Sequence, residues 1–309
     1  MTAGMDAATH RAARASVAAR VRDRVCAVPG SDAYRMALTA ALSLPGNILS
    51  RAGDARWGCL VWTCCVAAGG RWQQAMPVAA AVEVFMTALD VLDDEEDGEA
   101  PPLRAALGAA RTLNVSTGLL FLAQRSLLAA PGGPALADIL LDAGLRACAG
   151  QHADLAPPSE HGHDPDVALE ATAGKSASLV AALCQLGAAC AEADADMQRL
   201  YARFGASLGM MMQLRNDIAA VRPGALGKTD IALGRPTLPL AFMAPVGVIP
   251  EAGVPEAGAD DSAALRRGQA ALVAWTVAET YRRHALDSIP ALSTDPDGRA
   301  ALARLFERR

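Results

Sequence analysis

Five consecutive acidic residues, 93–97 (DDEED), end a nearly uncharged apolar run over residues 82–92. On a helix Asp93 and Asp97 share one face, where two carboxylates repel each other unless a cation lies between them. Oxygen ligands at this density suit a hard cation such as Mg²⁺, which keeps several waters and binds phosphate oxygens. An acidic helix end is more often a solvated surface, but the preceding residues are apolar on nearly every side, as in a buried helix. We therefore predict a Mg²⁺ site at the end of a buried helix.

A second apolar helix pattern, over residues 200–221, carries Gln213, Asn216 and Asp217 near its end. Helical bundles build metal sites from pairs of helices that each deliver oxygen ligands. Asn and Asp before a Pro-Gly stop often form only a turn, so this pair alone is weak support for a site. The cations that accompany it strengthen the prediction of a second acidic helix end.

Three cations accompany these acidic ends. Lys228 lies in the sequence GKTD and Arg235 in GRPTLPL, both shortly after the second acidic end. Lys175 lies in an otherwise uncharged helix pattern, ATAGKSASLVAALCQLGA. A lone lysine in such a helix usually extends to the surface. With a metal and a phosphate nearby, we instead expect it to bind a diphosphate.

Composition favours helices packed on helices. Hydrophobic residues make up 52% of the 309 residues and aromatic residues only 4%, and the abundance of Ala and Leu favours helix over sheet. No break in composition divides the chain, so we predict one all-α domain over residues 1–309, with a flexible Pro- and Gly-rich loop at 245–261. Helical patterns cover residues 7–26, 32–43, 56–68, 74–97, 103–130, 134–151, 165–191, 194–221, 236–244, 262–287 and 297–308.

Charge and cysteine usage exclude several classes of protein. The net charge of −5 makes nucleic acid an improbable partner. The sequence pattern predicts no membrane span, because no apolar stretch reaches the roughly 18 residues that a span needs. Seven cysteines without a CxxC pair suit small core residues in a reducing cytoplasm. The Arg-rich first 25 residues lack the apolar block of a signal peptide. We expect a cytoplasmic protein.

The order of the motifs resembles the trans-prenyltransferase (polyprenyl diphosphate synthase) family of class I isoprenoid synthases. The motifs are DDEED, GQHADL at residues 150–155, Lys175-Ser176, residues 213–217 and GRPTLPL, which together cover about residues 50–245. GQxxDL and PTLP are loose motifs, but the order and spacing of the whole set are specific. The resemblance implies an all-α bundle around a deep apolar cavity, with two acidic helices facing one another across its mouth. It also implies a homodimer, because relatives commonly are homodimers.

The resemblance assigns roles to individual residues. It implies that three Mg²⁺ ions bridge the acidic helices to the diphosphate of an allylic substrate, whose ionisation leaves a carbocation in the cavity. Asp93 and Asp97 would hold two of the ions, with Asp94 in a supporting hydrogen bond. Asn216 and Asp217 stand where the family has an Asp pair for the third ion. The implied diphosphate ligands are Lys175, Lys228 and Arg235, and the implied residues near the reacting carbons are Gln213 and Gln151.

Substrate length is expected to depend on Ala88 and Leu89, five and four residues before Asp93. The resemblance places these positions in the pocket one turn below the metal, where relatives that stop at short chains often have aromatic rings. Small residues leave the pocket open, and each buried methylene contributes about 0.8 kcal/mol. We therefore predict a prenyl diphosphate substrate of C15–C20 or longer, with C20 favoured over C10 and Phe85 as a possible floor.

The chain departs from the family at the second substrate. Chain-elongating members bind isopentenyl diphosphate through a GGKxxRP motif before the first acidic motif and an Arg-Arg-Gly after it, and neither is present. A single arginine, Arg104, follows the acidic motif. A second diphosphate without positive partners would be costly to desolvate. The second acidic motif is also reduced, with Asn216 in place of its first Asp and Ala220 in place of its last.

These departures leave several functions open. Terpene cyclisation, which needs only the allylic diphosphate, is the first expectation, although aromatic residues that could guide a cation are scarce. The alternatives are a chain-elongating prenyl diphosphate synthase and prenyl transfer to a non-isoprenoid acceptor. A non-catalytic binding role is the remaining alternative, and the intact first acidic motif disfavours it.

Overall fold

The computed structural model describes residues 6–51, 55–98, 102–161, 163–221, 235–243 and 259–307. Across these ranges the chain is helical and contains no β-strand, so the predicted all-α class is confirmed. The helices are α1 (Ala7–Cys26), α2 (Asp32–Leu42), α3 (Arg56–Ala67), α4 (Trp72–Glu96), α5 (Pro102–Leu107), α6 (Ala109–Leu128), α7 (Gly133–Asp154), α8 (Pro158–His161), α9 (Pro165–Thr172), α10 (Ser178–Cys190), α11 (Ala195–Ala220), α12 (Leu238–Met243), α13 (Ala259–Leu292) and α14 (Pro296–Ala303). A π-helical turn (Ala173–Ala177) joins α9 to α10, and a short 3₁₀ helix (Arg304–Phe306) follows α14.

Two predicted helices are interrupted in the structure. The helix expected over residues 103–130 breaks at Gly108, whose φ of +77° lies outside the α-helical region. The helix expected over residues 165–191 contains the π-helical turn, which periodicity does not reveal. Most of the loop predicted at 245–261 lies outside the described residues.

The chain forms two compact units built from segments distant in sequence. Unit 1 comprises Met1–Leu140, Leu183–Tyr201 and Ile289–Arg309, and unit 2 comprises Leu141–Ala182 and Ala202–Ser288. The unit boundaries fall inside helices such as α7 and α11, where composition gives no signal. A single domain over residues 1–309 therefore stays a prediction.

Helix α4 is the centre of unit 1. It packs against α1, α3 and α6, and nearly every residue from Ala75 to Ala88 is buried, as is Val91. Full burial of one Val, Phe or Met side chain contributes roughly 1.5–3 kcal/mol, so this helix anchors the unit. Beyond Val91 the residues of α4 regain contact with solvent. The predicted buried helix that ends in the acidic cluster is confirmed.

A buried carboxylate on α4 holds the start of α3. Glu83 is only 2% exposed, and its Oε1 accepts hydrogen bonds from the backbone N–H groups of Trp57 (3.0 Å) and Gly58 (2.7 Å). The first residue before α3, Ala55, has no capping side chain. Glu83 therefore replaces a local cap and meets the positive end of the α3 dipole.

Unit 2 has its own apolar core, and this core fixes the end of α11. Its buried members come from α11, α12 and α13 and are Leu214, Ile218, Leu238, Ala274 and Ala278. Leu169 of α9 and Tyr281 of α13 pack against them. Because Leu214 and Ile218 flank Asp217 on α11, the packing determines where that carboxylate lies.

Within the described residues, two helical stretches are long and apolar enough, by length and composition alone, to cross a membrane. One is α4, and 78% of its apolar window is buried in the protein. The other, Pro165–Cys190, is 50% buried in its window. Core helices of a folded protein are buried in this way. The length and apolar composition of these two stretches are therefore weak support for a membrane span.

Replacing Glu83 tests the cap on α3. We expect Glu83→Ala to lower the free energy of unfolding by about 2–4 kcal/mol, because two backbone N–H groups lose a charged acceptor inside the protein. Glu83→Gln keeps an acceptor oxygen and should cost about 1 kcal/mol. Urea unfolding followed by circular dichroism measures both, and equal losses for the two variants would contradict the capping role.

Candidate functional site

The end of α4 concentrates negative charge at the negative end of a helix dipole. Asp93, Asp94 and Asp97 are half-buried in and just after its last turn, and that turn contains no basic residue. Carboxylates near a helix C-terminus are repelled by its partial negative charge as well as by one another. A bound divalent cation would relieve both repulsions. Carboxylate oxygens are also the donors that Mg²⁺ prefers.

The neighbouring Glu95 is turned away from this set. Residues two apart on a helix differ in direction by about 200°, so Glu95 lies opposite Asp93 on α4. Its Oε2 pairs with Nη1 of Arg104 on α5 at 3.0 Å, and its side chain is only 5% exposed. The lone arginine that follows the acidic motif is therefore held by a carboxylate of the motif itself.

The pKa of Asp90, one turn before Asp93, is shifted by its surroundings. Desolvation by the surrounding protein raises the pKa of Asp90 to about 7, although the residue as a whole is exposed to solvent. The carboxylates of Asp93 and Asp94 raise this pKa further, and the guanidinium of Arg56 lowers it. Without a cation, this end of α4 therefore holds a proton at pH values where an ordinary Asp is ionised.

The two residues expected to line the substrate pocket differ in exposure. Ala88 has no exposed surface, and its carbonyl oxygen accepts a hydrogen bond from Ser116 Oγ of α6 at 2.7 Å. Leu89 is half-buried and, four residues before Asp93, lies on nearly the same side of α4. Their roles in chain length stay predictions.

In unit 2 a chain of hydrogen bonds links the π-helical turn to α11. Ser176 Oγ donates to Oε1 of Gln213 at 2.8 Å, and Nε2 of Gln213 donates to Oδ1 of Asp217 at 2.8 Å. Asp217 is 4% exposed, whereas Asn216 is exposed on the adjacent side of the helix. The pair therefore presents one inward carboxylate and one outward amide. Both bonds together fix the orientation of the Gln213 amide.

Two glycines bring α7 against the π-helical turn. A Cβ atom on Gly150 would lie 2.1 Å from the backbone nitrogen of Lys175, and one on Gly174 would lie 2.9 Å from the Gly150 Cα. Only glycine permits this approach of two backbones. The glycine of the GQHADL sequence is thus required by packing, and it fixes the backbone from which Lys175 projects. Turns of π-helix inside α-helices often occur at functional sites.

Lys175 and Arg235 of unit 2 both contact Asp154 at the end of α7. Nζ of Lys175 pairs with Oδ2 of Asp154 at 2.9 Å. Nη1 of Arg235, which is 8% exposed, donates to the main-chain oxygen of Asp154 at 3.3 Å. Both cations were predicted site residues, whereas Asp154 had no predicted role. The sequence signal was its place in GQHADL, four residues after the tightly packed glycine.

The remaining predicted residues are more widely distributed. Gln151 is half-buried on α7 next to Gly150, and Lys228 lies outside the described residues. Nowhere in the described ranges are three His, Cys, Asp or Glu side chains grouped so as to hold a metal by themselves. Mg²⁺ typically needs only one or two carboxylates plus water and substrate phosphates, so the donors on α4 fit that ion. The predicted pairing of the two acidic helices stays a prediction.

A family model described as Polyprenyl synthetase matches residues 46–246 of this chain. The chain belongs to the polyprenyl synthetase family. The match begins ahead of α3 and extends beyond α12, so it includes both acidic helix ends, the π-helical turn and Arg235. The resemblance inferred from the motifs is therefore confirmed.

Individual relatives are named as prenyl diphosphate synthases. The chain is 29% identical over 260 residues to the (2E,6E)-farnesyl diphosphate synthase of Mycobacterium tuberculosis, a match that covers 80% of this chain and 65% of that protein. It is 30% identical over 195 residues to a geranylgeranyl diphosphate synthase of the same species, covering 59% and 55% of the two chains. The matched region thus spans less than two thirds of the length of either relative.

Solved structures share the fold. A decaprenyl diphosphate synthase from Rhodobacter capsulatus superposes with a TM-score of 0.81 at 20% identity, covering 97% of this chain and 96% of that one. At this identity the likeness concerns the fold. It confirms the isoprenoid synthase type of all-α architecture that the resemblance implied.

The raised pKa of Asp90 predicts a pH-dependent stability. A carboxyl group whose pKa rises from 3.8 to about 7 on folding stabilises the protein fully below pH 4 and loses that contribution as the pH rises to 7. In metal-free buffer, Asp90→Asn should match the parent near pH 4 and exceed it in stability at pH 8. Thermal melts across this range measure the difference, with Asp23→Asn, at an exposed position on α1, as control. A difference that does not vary with pH would contradict the assignment.

Proposed function

We propose that this protein is a Mg²⁺-dependent prenyl diphosphate synthase, which ionises an allylic diphosphate and joins it to isopentenyl diphosphate. The observation that carries the proposal is the acidic end of α4, a helix buried along its length whose last turn gathers carboxylates without any basic residue. Family membership and the names of the relatives, which are prenyl diphosphate synthases, support elongation. The cyclisation expected first from the sequence finds no support among them.

The carboxylates of α4 are assigned to the metal. Asp93 and Asp97 would hold Mg²⁺, with Asp94 in support, and Asn216 with Asp217 would hold a further ion, three in all. When bound, Mg²⁺ neutralises charge on the leaving diphosphate. The repulsion already present at the end of α4 favours cation binding without any rearrangement of a buried helix.

The polar residues of unit 2 are assigned to the diphosphate and the reacting carbons. Lys175 and Arg235, with Lys228, would bind the diphosphate through charge-assisted hydrogen bonds. Gln213 is supported in this role by its two hydrogen bonds, which hold its amide dipole in one orientation. A fixed dipole stabilises developing charge without reorganising during the reaction. Gln151 would complete this polar edge.

Terpene cyclisation remains the second candidate because of one contact. Arg104 is the single arginine where elongating relatives have a pair, and Glu95 binds it at 3.0 Å. A cation neutralised in this way contributes little to a second diphosphate. If elongation depends on Arg104, the protein binds isopentenyl diphosphate more weakly because of the pairing with Glu95. If elongation does not occur, only the allylic substrate reacts.

Incubation with prenyl diphosphates tests the proposal. The protein with Mg²⁺ is given C10, C15 or C20 allylic diphosphate, each with and without isopentenyl diphosphate, and both hydrocarbons and diphosphates are analysed. We expect longer prenyl diphosphates only when isopentenyl diphosphate is present. Hydrocarbons or alcohols formed without it would favour cyclisation, and absence of any product from all six mixtures would overturn the proposal. Because Ala88 and Leu89 are smaller than the aromatic rings expected in relatives that stop at short chains, C15–C20 substrates should be preferred over C10.

Neutralising a metal ligand should stop the reaction without unfolding the protein. Asp93→Asn removes a ligand and should reduce Mg²⁺-dependent diphosphate release by about 100-fold or more. Its stability in EDTA should hold or rise, because one repulsive charge is lost. Glu96→Gln, the same charge change at an exposed position, is the matched control. Full turnover by Asp93→Asn at ordinary Mg²⁺ would disprove the metal assignment.

Glu95 should influence the second substrate only. We expect Glu95→Gln to release Arg104 and to lower the KM for isopentenyl diphosphate about threefold, while the KM for the allylic diphosphate stays constant. Glu96→Gln again serves as control. If Arg104→Gln leaves the KM for isopentenyl diphosphate unchanged in both backgrounds, this pair does not influence the second substrate.

We further propose that the protein forms a homodimer in the cytoplasm through the exposed side of α6. Leu113, Phe121 and Leu128 lie within about 80° of each other around this helix and are 43%, 66% and 54% exposed. An exposed apolar row on one helix is unfavourable in water and marks an interaction surface.

Charge placed on this row should separate the subunits. Phe121→Glu should reduce the molar mass measured by light scattering from that of two chains to that of one, because a carboxylate would be buried without a partner. Thr117→Glu, on the same side of α6 and exposed, should have a similar but smaller effect. A parent protein that is already monomeric, or a dimer unaffected by Phe121→Glu, would contradict this surface.

A further inference from the structure

Asp154, the last residue of α7, places its carboxylate beside Lys175. Asp154 follows Gly150 by four residues and so lies above it on the same side of α7. The close approach of Gly150 to the π-helical turn fixes the backbone of Lys175 relative to α7. The contact between Oδ2 of Asp154 and Nζ of Lys175 at 2.9 Å is therefore set by two rigid backbones.

A second ion pair on α7 provides a comparison. Asp142 pairs with Arg146 at the same distance of 2.9 Å, but both of those side chains are more than 60% exposed. The side chains of Lys175 and Asp154 are only 23% and 15% exposed. Solvent therefore screens the Lys175 pair less than it screens the Asp142 pair.

Arg235 contacts Asp154 in a different way. Its Nη1 donates to the main-chain oxygen of Asp154 and not to the carboxylate. The carboxylate can therefore leave Lys175 without breaking this contact. The end of α7 would then present Lys175, beside Arg235, to an incoming anion.

We propose that Asp154 is a displaceable counter-ion, which pairs with Lys175 in the empty protein and is exchanged for a diphosphate. The inference rests on the proposed function in assigning a diphosphate to Lys175. Asp154 competes with the diphosphate, so it weakens ground-state binding and speeds release of the inorganic diphosphate product. It is a positioning residue, because it acts through Lys175 and not on the reacting atoms.

Inorganic diphosphate is the probe that tests this exchange. We compare the parent, Asp154→Asn and the control Asp142→Asn by calorimetric titration of Mg²⁺ diphosphate into the whole protein. Asp154→Asn should tighten the Kd about fivefold, since one repulsive charge near the ligand is removed, and Asp142→Asn should leave it unchanged. The thermal shift produced by diphosphate should also be larger in Asp154→Asn, because the diphosphate then binds Lys175 without competition from the Asp154 carboxylate. In turnover, Asp154→Asn should lower the KM for the allylic diphosphate together with kcat.

A double variant separates competition from a structural effect. In a Lys175→Gln background, Asp154→Asn should no longer change the Kd for diphosphate. An unchanged or weaker Kd in Asp154→Asn, or an effect that persists without Lys175, would overturn the inference. If Asp154→Asn does not fold, Asp154→Ser carries the same test, and failure of both to fold would show a structural role and overturn it too.

The test distinguishes this inference from the proposed function. Diphosphate binding requires no prenyl substrate, so a parent that elongates prenyl chains without any Asp154 effect contradicts the inference alone. A parent that binds diphosphate with the Asp154 effect but consumes no prenyl diphosphate contradicts the proposed function and supports the exchange.

Discussion

Repulsion among carboxylates at the end of α4 is the constraint on which the candidate site depends. The helix cannot relax by moving, because its residues from Ala75 to Ala88 are nearly all buried against α1, α3 and α6. Its acidic last turn also meets the negative end of its own dipole. The packing of unit 1 thus maintains a cluster of like charges at this helix end, and the Asp93 and Asp94 carboxylates add to the desolvation that raises the pKa of Asp90.

In unit 2, by contrast, charged site residues are paired with groups of the same unit. Two of its cations lie against oxygen atoms of the same unit. Lys175 contacts the Asp154 carboxylate, and Arg235 contacts a main-chain oxygen. Internal partners stabilise the empty protein, since a poorly solvated cation without a partner would cost several kcal/mol. They also reduce the affinity for an external anion. Stability without ligand and affinity for ligand are therefore opposed at this end of α7.

On unit 1, Arg104 shows the same conflict between internal pairing and affinity for a ligand. Its pairing with Glu95 neutralises one oxygen of a nearly buried carboxylate and lies opposite Asp93 on α4. In the proposed function the acidic motif serves two purposes: Asp93 and Asp97 would bind a cation, whereas Glu95 pairs with an internal arginine. A motif of five acidic residues does not act as a uniform patch, because helical geometry assigns its members to different sides.

The sequence by itself determined the helical class, most helix bounds and the family. These follow from local properties: helix-forming composition, Pro and Gly at the breaks, and the order of motifs along the chain. The burial of α4 was also predictable, because a helix that is apolar on every side has no stable place except a core.

Tertiary structure alone decided the partners of the charged residues and the local breaks. No periodicity predicts a π-helical turn, since it depends on Gly150 and Gly174 meeting across two helices. The pairing of Asp154 with Lys175, of Glu95 with Arg104 and of Glu83 with the start of α3 likewise joins residues 9 to 26 positions apart. A sequence states which charges are present, but which of them neutralise one another depends on distances that only packing creates.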